Sequence, residues 1–385
     1  MLMPALSHAR HKVQSIVSRM QPWAIAEAHA LLVRIPVQPP KGDAIQKFSA
    51  LELPIVRITD AAGNSGVGFG YTIGQGGSTI LELIRKELLP KLEGRDSRRI
   101  GSIYDTLLKS VHALGPGVVL SNALAAIDVA LWDLNARRNN VPLHYMLGGA
   151  KDKVPVYNTD VGWLSRELDE MIDLSKQAVR REGFRALKLK VGKPDLQEDV
   201  ERVGKVRKAV GDQITIMIDA NQSWTVAEAI RRLQPLQKFN LFWIEEPLPA
   251  TDIQGYCELA KHISIPRAGG ESIYDPTIFY DNIRQGALDI LQPDIARVGG
   301  ITAAMAVCGM ANAANLMVAP HVSPELSLTV AAAIPTSIFI EYIPQMEPVL
   351  KRKIKIEDGN AIAPDVPGHG IEFDEQALRR YEVKL

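Results

Sequence analysis

Two lysines share one face of an apolar segment. In GFRALKLKVG, residues 183–192, the side chains of a strand alternate between faces, so Lys188 and Lys190 point to the same side. The leucines between them predict burial, which argues against lysines that simply extend into solvent. Two adjacent ammonium groups near a divalent cation lower each other's pKa, because each positive charge disfavours the protonated form of the other. The pattern therefore predicts that Lys190 has a lowered pKa and acts as a base, with Lys188 supplying the repulsion.

Ionisable residues also stand at the ends of the apolar runs that follow. Asp219 and Glu245 are 26 residues apart, and so are Glu245 and Glu271. A single acid in such a place is often only the N-cap of the next helix, and a single histidine is often a hydrogen-bonded core residue. Neither explanation suits seven successive runs that carry ionisable residues at matching positions. The residues are Lys188 and Lys190, Asp219 with Asn221, Glu245 with Glu246, Glu271, Asp294, His321 and Glu341.

The three carboxylates spaced 26 residues apart predict a metal site. Converging carboxylates raise one another's pKa unless a cation lies between them. Hard oxygen ligands without neighbouring Cys or His favour Mg²⁺. We expect Asp219, Glu245 and Glu271 to be the ligands, while Glu246 faces the other way and either supports a ligand or forms a salt bridge. Asn221 has the same facing as Asp219 and is predicted to contact the substrate or to support a ligand.

The elements that must position these residues form two regions with different periodicity. Residues 24–150 read as strands followed by helices, which predicts an α+β capping domain whose loop QPPKGDAIQKFSA is mobile. Residues 151–345 contain eight short apolar runs separated by helical stretches, the pattern of a (β/α)8-type barrel with its catalytic groups on one rim. Residues 346–385 are expected to return to the capping domain, and residues 1–23 to form an N-terminal extension.

Composition narrows the classes of function. The 385 residues include 44 basic and 44 acidic side chains, so global charge predicts neither a nucleic-acid partner nor a membrane surface. No apolar run approaches the roughly 20 residues that span a bilayer. Cys257 and Cys308 are the only cysteines, too few for a disulfide framework. We expect a cytoplasmic protein.

These motifs together resemble the enolase superfamily, and within it the mandelate racemase subgroup. The resemblance covers nearly the whole chain and depends on the order of the motifs along consecutive runs. The motifs are KLK at 188–190, DAN at 219–221, EEP at 245–247, GES at 270–272, PD and RVGG within 293–300, PH at 320–321 and AIDVALWD at 126–133.

The resemblance implies a role for each residue. Asp219, Glu245 and Glu271 would bind Mg²⁺, and Lys190 would be one general acid/base beside its electrostatic partner Lys188. His321, paired with Asp294, would be the other acid/base, and Glu341 would hydrogen-bond the substrate carboxylate or the enolate. Such sites remove the proton α to a carboxylate and stabilise the enediolate with Mg²⁺. A homo-oligomer is also implied.

The loops over the barrel predict the substrate class. They are polar, at PPKGDAIQKFSA and GYTIGQGGS, which suits a polyhydroxylated acid better than an aryl acid. YNT at 157–159, KVGKP at 190–194 and ANQSW at 220–224 are similar to talarate/galactarate dehydratase-like members. We therefore predict an acid-sugar dehydratase that yields a 2-keto-3-deoxy acid. Its predicted substrate-binding residues are Asn221, Lys47, Tyr71 and Asn158.

Three alternatives remain open from the sequence. The same Lys/His pair would serve a racemase or epimerase of a 2-hydroxy acid, if the second group returns a proton to the α-carbon. A barrel that only binds a ligand is a second alternative, against which the complete set of ionisable residues argues. Phosphate-ester chemistry with RVGG as an anion loop is a third, but these glycines follow the sixth run, whereas barrel phosphate sites usually follow the last two.

Overall fold

The computed structural model describes residues 21–384, and the first 20 residues of the predicted N-terminal extension lie outside this range. The chain starts with an antiparallel sheet of β1 (Ile25–Gly42), β2 (Lys47–Asp60) and β3 (Ser65–Phe69). The segment predicted as a mobile loop is instead the far end of a long hairpin, in which Lys41 pairs with Phe48 and Gly42 with Lys47. That expectation was wrong because tertiary contacts, described below, hold these polar residues in strands.

Helices of the capping domain cover one face of this sheet. They are α1 (Gly77–Leu83), continued by a π-helical turn at Ile84–Leu88, then α2 (Ile100–Ser110), α3 (Val118–Arg138) and α4 (Leu143–Met146). The long helix α3 lies directly on β3, because Gly66 and Gly68 leave no side chain between the two backbones. A Cβ on Gly66 would lie 2.2 Å from the carbonyl oxygen of Ala130. Although α3 is long and apolar enough to cross a membrane, 83% of its most apolar window is buried in the fold, as in a core helix.

Eight parallel strands follow and close into a barrel, as predicted. They are β4 (Lys153–Gly162), β5 (Ala186–Lys190), β6 (Thr215–Asp219), β7 (Ile244–Glu245), β8 (Arg267–Gly269), β9 (Ile290–Leu291), β10 (Met317–Val318) and β11 (Ile340–Tyr342). Each strand pairs with the next from β4 to β10. The ring closes where β11 pairs with β4 and where Val318 bridges Ser337.

Helices follow seven of these strands on the outside of the barrel. They are α5 (Leu168–Arg180), α6 (Leu196–Val210), α7 (Val226–Leu233), α8 (Ile253–Leu259), α9 (Pro276–Gln285), α10 (Ile301–Ala313) and α11 (Pro324–Ala333). Asp195, Thr225, Asp252 and Asp275 are the N-caps of α6 to α9, and each accepts a backbone N–H with its side chain. The carboxylates of Asp219, Glu245 and Glu271 are therefore not the caps of the helices that follow them, since other residues cap those helices.

The C-terminal segment contacts both parts of the chain. The hairpin of β12 (Ile356–Glu357) and β13 (Asn360–Ile362) pairs antiparallel with the start of β4, and α12 (Glu375–Tyr381) follows. Beyond α12, the backbone N–H of Val383 donates to the carbonyl oxygen of Leu32 in β1, 2.8 Å away. The segment thus runs from the barrel back to the sheet of the capping domain.

Candidate active site

The site lies at the carboxyl ends of the barrel strands, under the capping domain. Parallel pairing sets Lys190 beside Asp219 and Asp219 beside Glu245, so three predicted residues stand side by side on the rim. Glu271 follows the end of β8 by two residues. The equal spacing seen in the sequence thus corresponds to neighbouring strands whose ends meet at one mouth.

Lys188 is fully buried among carboxylates. Its Nζ lies 2.5 Å from Glu245 Oε1, 2.8 Å from Glu341 Oε1 and 3.5 Å from Asp219 Oδ2. Burial by itself lowers the pKa of Lys188, but the carboxylates of Glu245 and Glu341 raise it well above its ordinary value. Lys188 is therefore a fixed cation that ties three strand ends together.

Lys190 lies two residues beyond Lys188, at the end of β5 and closer to the barrel mouth. Its Nζ lies 2.5 Å from Asp219 Oδ2 and 5.5 Å from the centre of the Trp163 ring. Burial lowers the pKa of Lys190, yet the carboxylates of Asp219, Glu271 and Glu245 together raise it above its ordinary value. Lys188 does act to lower the pKa of Lys190, in the predicted direction, but these carboxylates outweigh it. The lowered pKa was predicted for a site that holds a divalent cation, and it stays a prediction.

His321 lies across the mouth from the lysines, between two carboxylates. Its Nδ1 is 2.7 Å from Asp294 Oδ2, and its Nε2 is 3.0 Å from Glu271 Oε2 and 3.6 Å from Glu341 Oε2. Burial lowers the pKa of His321, but Glu271, Asp294 and Glu341 raise it, to about 10. Because Asp294 engages Nδ1, Nε2 is the nitrogen that faces the mouth.

The oxygens at the centre of the rim suit a cation. Ligand atoms of Glu245, Glu271 and His321 all lie within 4.8 Å of one another. Asn221 Oδ1 is buried and accepts no hydrogen bond from any described residue, while Glu271 Oε2 faces His321 Nε2 at 3.0 Å. Burial raises the pKa of Glu245 to about 8, against the opposing effect of Lys188, and burial together with Glu271 raises the pKa of Glu246 to about 8. A divalent cation would supply the charge that such acids lack.

The predicted substrate-binding residues divide into two groups. Lys47, Tyr71 and Asn221 line a cavity of about 440 Å³ between the capping domain and the barrel mouth, together with Glu271 and Arg297. Asn158 is not part of this wall. It is buried, and its Oδ1 accepts the backbone N–H of Val161 at 3.3 Å. The hydroxyl of Tyr71 is directed to Asp294 Oδ2, 2.5 Å away.

Glu246 is buried beside the metal-site candidates, where it makes hydrogen bonds and no salt bridge with a described residue, so only its predicted supporting role remains open. Its carboxylate oxygens lie 3.4 Å from the backbone nitrogen and 3.3 Å from the hydroxyl of Ser272, so the contact is a pair of long hydrogen bonds.

The RVGG segment differs from an anion loop. The carboxylate of Asp128 in α3 already accepts the backbone N–H of Thr302 at 2.9 Å, so the start of α10 is capped by an acid.

The sequence did not predict several residues that orient the carboxylates of the site. Thr159 donates its hydroxyl to Glu341 Oε1 at 2.6 Å, while Trp243 and Gln292 donate to Glu245 Oε2 at 3.2 and 2.7 Å. Arg297 lies 3.1 Å from Glu271 Oε1. Gln292 directly follows the sixth barrel strand, in line with the other strand-end residues, and that position could have identified it. Thr159 lies in the quoted motif YNT, which could have identified it, whereas nothing in the sequence marks Trp243.

Matches to known protein families show to which family the chain belongs. Residues 25–148 match the mandelate racemase/muconate lactonizing enzyme N-terminal domain, and residues 170–377 match the enolase C-terminal domain-like family. The chain belongs to the enolase superfamily. The resemblance inferred from KLK, DAN, EEP and the later motifs is thereby confirmed, as is the fold.

Individual relatives in the superfamily are similar to this chain over most of its length. The 3,6-anhydro-alpha-L-galactonate cycloisomerase of Streptomyces coelicolor is 36% identical, covering 91% of this chain and 98% of the relative. The L-talarate/galactarate dehydratase of Salmonella typhimurium is 36% identical, covering 90% and 88%. A crystal structure of the latter with Mg and L-lyxarohydroxamate has a TM-score of 0.89 at 34% identity and covers 93% of this chain and 92% of that one. Acid-sugar chemistry at a magnesium site thus occurs among the relatives.

Proposed function

We propose that this protein is a Mg²⁺-dependent acid-sugar dehydratase, which removes the proton α to a carboxylate and releases a 2-keto-3-deoxy acid. The observation that carries the proposal is the placement of Lys190 on β5 and His321 after β10, on either side of the carboxylates of β6 to β8. Two proton-transfer groups can then address opposite faces of one α-carbon. The substrate would be an aldonate or aldarate.

The metal would be held by Asp219, Glu245 and Glu271. Asp219 is preferred to His321 as the third ligand because it pairs in register with Glu245 and because Mg²⁺ favours oxygen ligands over imidazole nitrogen. When bound, Mg²⁺ supplies positive charge that stabilises the carboxylate oxygens as the α-carbon loses its proton. Lys188 and Glu341 hold the opposite side of the group in place, since Glu341 also accepts the backbone N–H of Val322 and the hydroxyl of Thr159.

The chain's own residues move the protons. Lys190 or His321, in its neutral form, takes the α-proton, depending on the configuration of the substrate, and the other, in its protonated form, donates a proton to the departing β-hydroxyl, which leaves as water. The resulting enol takes a proton at the former β-carbon, loses its hydroxyl proton and becomes the keto acid. Asp294 keeps Nε2 of His321 toward the substrate. If the second group instead returns a proton to the α-carbon, the same residues perform racemisation or epimerisation, which is our alternative.

The cap would select the sugar. Lys47 is exposed on the hairpin and lines the cavity, where its ammonium can meet the distal carboxylate of an aldarate. Asn221 Oδ1, which accepts no hydrogen bond from a described residue, would accept a hydrogen bond from a substrate hydroxyl. Asn158 and Tyr71 were predicted to contact substrate as well, but their bonds to Val161 and Asp294 favour indirect roles. One relative is a cycloisomerase, so the departing β-oxygen could also belong to a ring ether.

Substrate profiling of purified protein with Mg²⁺ tests the proposal. A library of aldonic and aldaric acids is assayed for 2-keto acid, and proton NMR in D₂O follows the α-hydrogen. Keto acid supports dehydration, and deuterium uptake without loss of water supports the alternative. Absence of both would contradict enolisation chemistry and leave a binding protein.

Variants then test the assigned roles. Lys190→Ala and His321→Ala should lower turnover by about 10³-fold or more while Mg²⁺ binding persists. Asp219→Asn should lose Mg²⁺ affinity, and loss of Mg²⁺ in His321→Ala instead would identify histidine as the ligand. Lys205→Ala on α6 and His262→Ala in the turn after α8, both at exposed positions, are the matched controls. Equal activity in all four alanine variants would refute the assignment.

A further inference from the structure

We infer that Tyr71 of the capping domain is a positioning residue for His321, acting through Asp294 on one of the two proton-transfer groups and not on the other. The inference rests on the proposed function, in which His321 and Lys190 serve opposite faces. It assigns to the cap a part in proton transfer in addition to substrate selection.

One carboxylate oxygen joins the two domains. Asp294 Oδ2 accepts the phenol O–H of Tyr71 at 2.5 Å and faces His321 Nδ1 at 2.7 Å, while Asp294 Oδ1 accepts the backbone N–H of Arg297 at 2.9 Å. With Oδ1 committed to its own turn, the direction in which Oδ2 points depends on its two side-chain donors. The phenol therefore sets the oxygen against which the imidazole is oriented.

The phenol is itself held rigidly. Tyr71 is 4% exposed, and its backbone N–H donates to Asn122 Oδ1 of α3 at 2.9 Å. The next residue, Thr72, exchanges two backbone hydrogen bonds of 2.8 Å with Glu52 of β2. Burial raises the pKa of Tyr71 well above its ordinary value, so the hydroxyl remains a donor. The position of the phenol is thus fixed by the cap's own core.

Arg297 makes the phenol necessary. Its guanidinium lies 5.3 Å from the centre of the Tyr71 ring, and its Nε is 3.9 Å from Asp294 Oδ2, just beyond a close ion pair. Without the phenol O–H, Arg297 is the nearest cation able to take Oδ2 and rotate the carboxylate away from His321. Lys190 has different partners, Asp219 and Trp163, so this chain of contacts does not reach it.

This arrangement also separates positioning from substrate binding. A phenol has one proton, and Tyr71 donates it to Asp294. Removing the hydroxyl should therefore impair a proton-transfer step and leave KM unchanged. A direct substrate contact would instead show itself as a raised KM for either face.

The test compares Tyr71→Phe with wild type on two acid sugars that differ only in configuration at the α-carbon. Exchange of the α-hydrogen with D₂O is measured for each, and the Lys190→Ala and His321→Ala variants identify which base serves which isomer. We expect exchange on the His321 side to fall about 10- to 100-fold, the effect of losing one hydrogen bond to a charged group, with exchange on the Lys190 side unchanged. The unchanged side also shows that the variant is folded.

Tyr280→Phe is the matched control. Tyr280 is 54% exposed on α9 and does not line the cavity, so this variant should exchange both isomers as wild type does. Equal losses on both faces in Tyr71→Phe, or a loss confined to KM, would overturn the inference. Absence of exchange in wild type would instead count against the proposed function alone.

A spectroscopic measurement is independent of turnover. In ¹⁵N-histidine-labelled, Mg²⁺-loaded protein, the Nδ1–H resonance of His321, assigned with His321→Ala, reports its bond to Asp294. Tyr71→Phe should shift this resonance, and Tyr280→Phe should not. An unshifted resonance in Tyr71→Phe would refute coupling through Asp294 whatever the substrate.

Discussion

At the scale of single residues, Glu245 is the side chain on which the buried donors converge. Lys188 lies 2.5 Å from one oxygen, while Gln292 and Trp243 donate to the other at 2.7 and 3.2 Å. A buried carboxylate is costly without such partners, and their fixed directions also determine where its remaining lone pairs point. The donors that surround the rim therefore set the geometry in which a cation would be bound.

Gln292→Leu tests this dependence. The substitution removes the donor at 2.7 Å and keeps similar volume, in a side chain whose Oε1 has no partner among the described residues. We expect Mg²⁺ affinity, measured by calorimetry, to fall about 10- to 100-fold, as for other supporting partners of metal ligands. Gln254→Leu on the exposed face of α8 should bind Mg²⁺ as wild type does. Unchanged affinity in Gln292→Leu would show that Lys188 and Trp243 suffice to orient Glu245.

The residues that could be predicted from sequence are those whose chemistry is improbable in a core. Lys188, Asp219 and Glu245 stand out because charged side chains rarely follow apolar runs into the interior without a partner. Thr159 and Gln292 could not be recognised in the same way, because a hydroxyl or an amide fits many buried places. Their roles depend on which oxygen they face, and only the folded barrel sets that.

At the scale of elements, barrel strands were predictable and the hairpin was not. Short apolar runs mark β7, β9 and β10 even though each has only two paired residues, because their burial between helices demands apolar side chains. The end of the β1–β2 hairpin is polar and rich in proline, which predicts a loop. Its strands persist because Phe48 packs edge-on against Trp163 at 5.6 Å and Lys41 reaches Asp160 at 2.8 Å, both in the barrel.

Lys41→Met should release this hairpin locally. Lys41 is buried and Asp160 is partly exposed, so removal of the ion pair leaves Asp160 with the indole N–H of Trp163 at 2.9 Å and a long ion pair with Arg166 at 3.6 Å. Hydrogen bonds to charged groups contribute about 1.5–3 kcal/mol, so amide exchange in residues 37–48 should become roughly 10- to 100-fold faster. Hydrogen–deuterium exchange with mass spectrometry measures it. Lys47→Met, an exposed lysine of the same hairpin, is the control, and equal exchange in both variants would contradict the role of Lys41.

At the scale of the whole molecule, buried polar contacts join the capping domain to the barrel. Thr302 at the start of α10 donates its hydroxyl to Asp128 at 2.5 Å and accepts the indole N–H of Trp132 at 2.9 Å, both from α3. His369 of the C-terminal segment lies against the cap. Such long-range pairs cannot be read from sequence, since neither partner is unusual in its own segment. They matter because the cap supplies residues such as Tyr71 to the site.

His369 makes the attachment of the C-terminal segment sensitive to acid. Its Nε2 lies 2.8 Å from the carbonyl oxygen of Val67, and its Nδ1 accepts the backbone N–H of Ile371 at 3.0 Å, so the neutral ring satisfies both contacts. Burial lowers the pKa of His369, although Asp133, 3.6 Å from Nδ1, acts in the opposite direction. Protonation of Nδ1 would break the bond to Ile371.

The sign of the resulting pH dependence follows from proton binding. With a lowered pKa in the folded state and an ordinary one near 6.5 in the unfolded chain, the unfolded state binds more protons as the solution is acidified. The contribution of His369 to the free energy of unfolding is therefore complete above about pH 6.5 and is lost as the pH falls through the folded pKa.

His369→Gln keeps one donor and one acceptor but does not titrate. Urea denaturation should show wild type losing more stability than His369→Gln between about pH 7.5 and 5.5, whereas His262→Gln, at an exposed site, should follow wild type. Parallel losses in wild type and His369→Gln would mean that the segment is held by its strand pairing to β4 and not by the neutral imidazole.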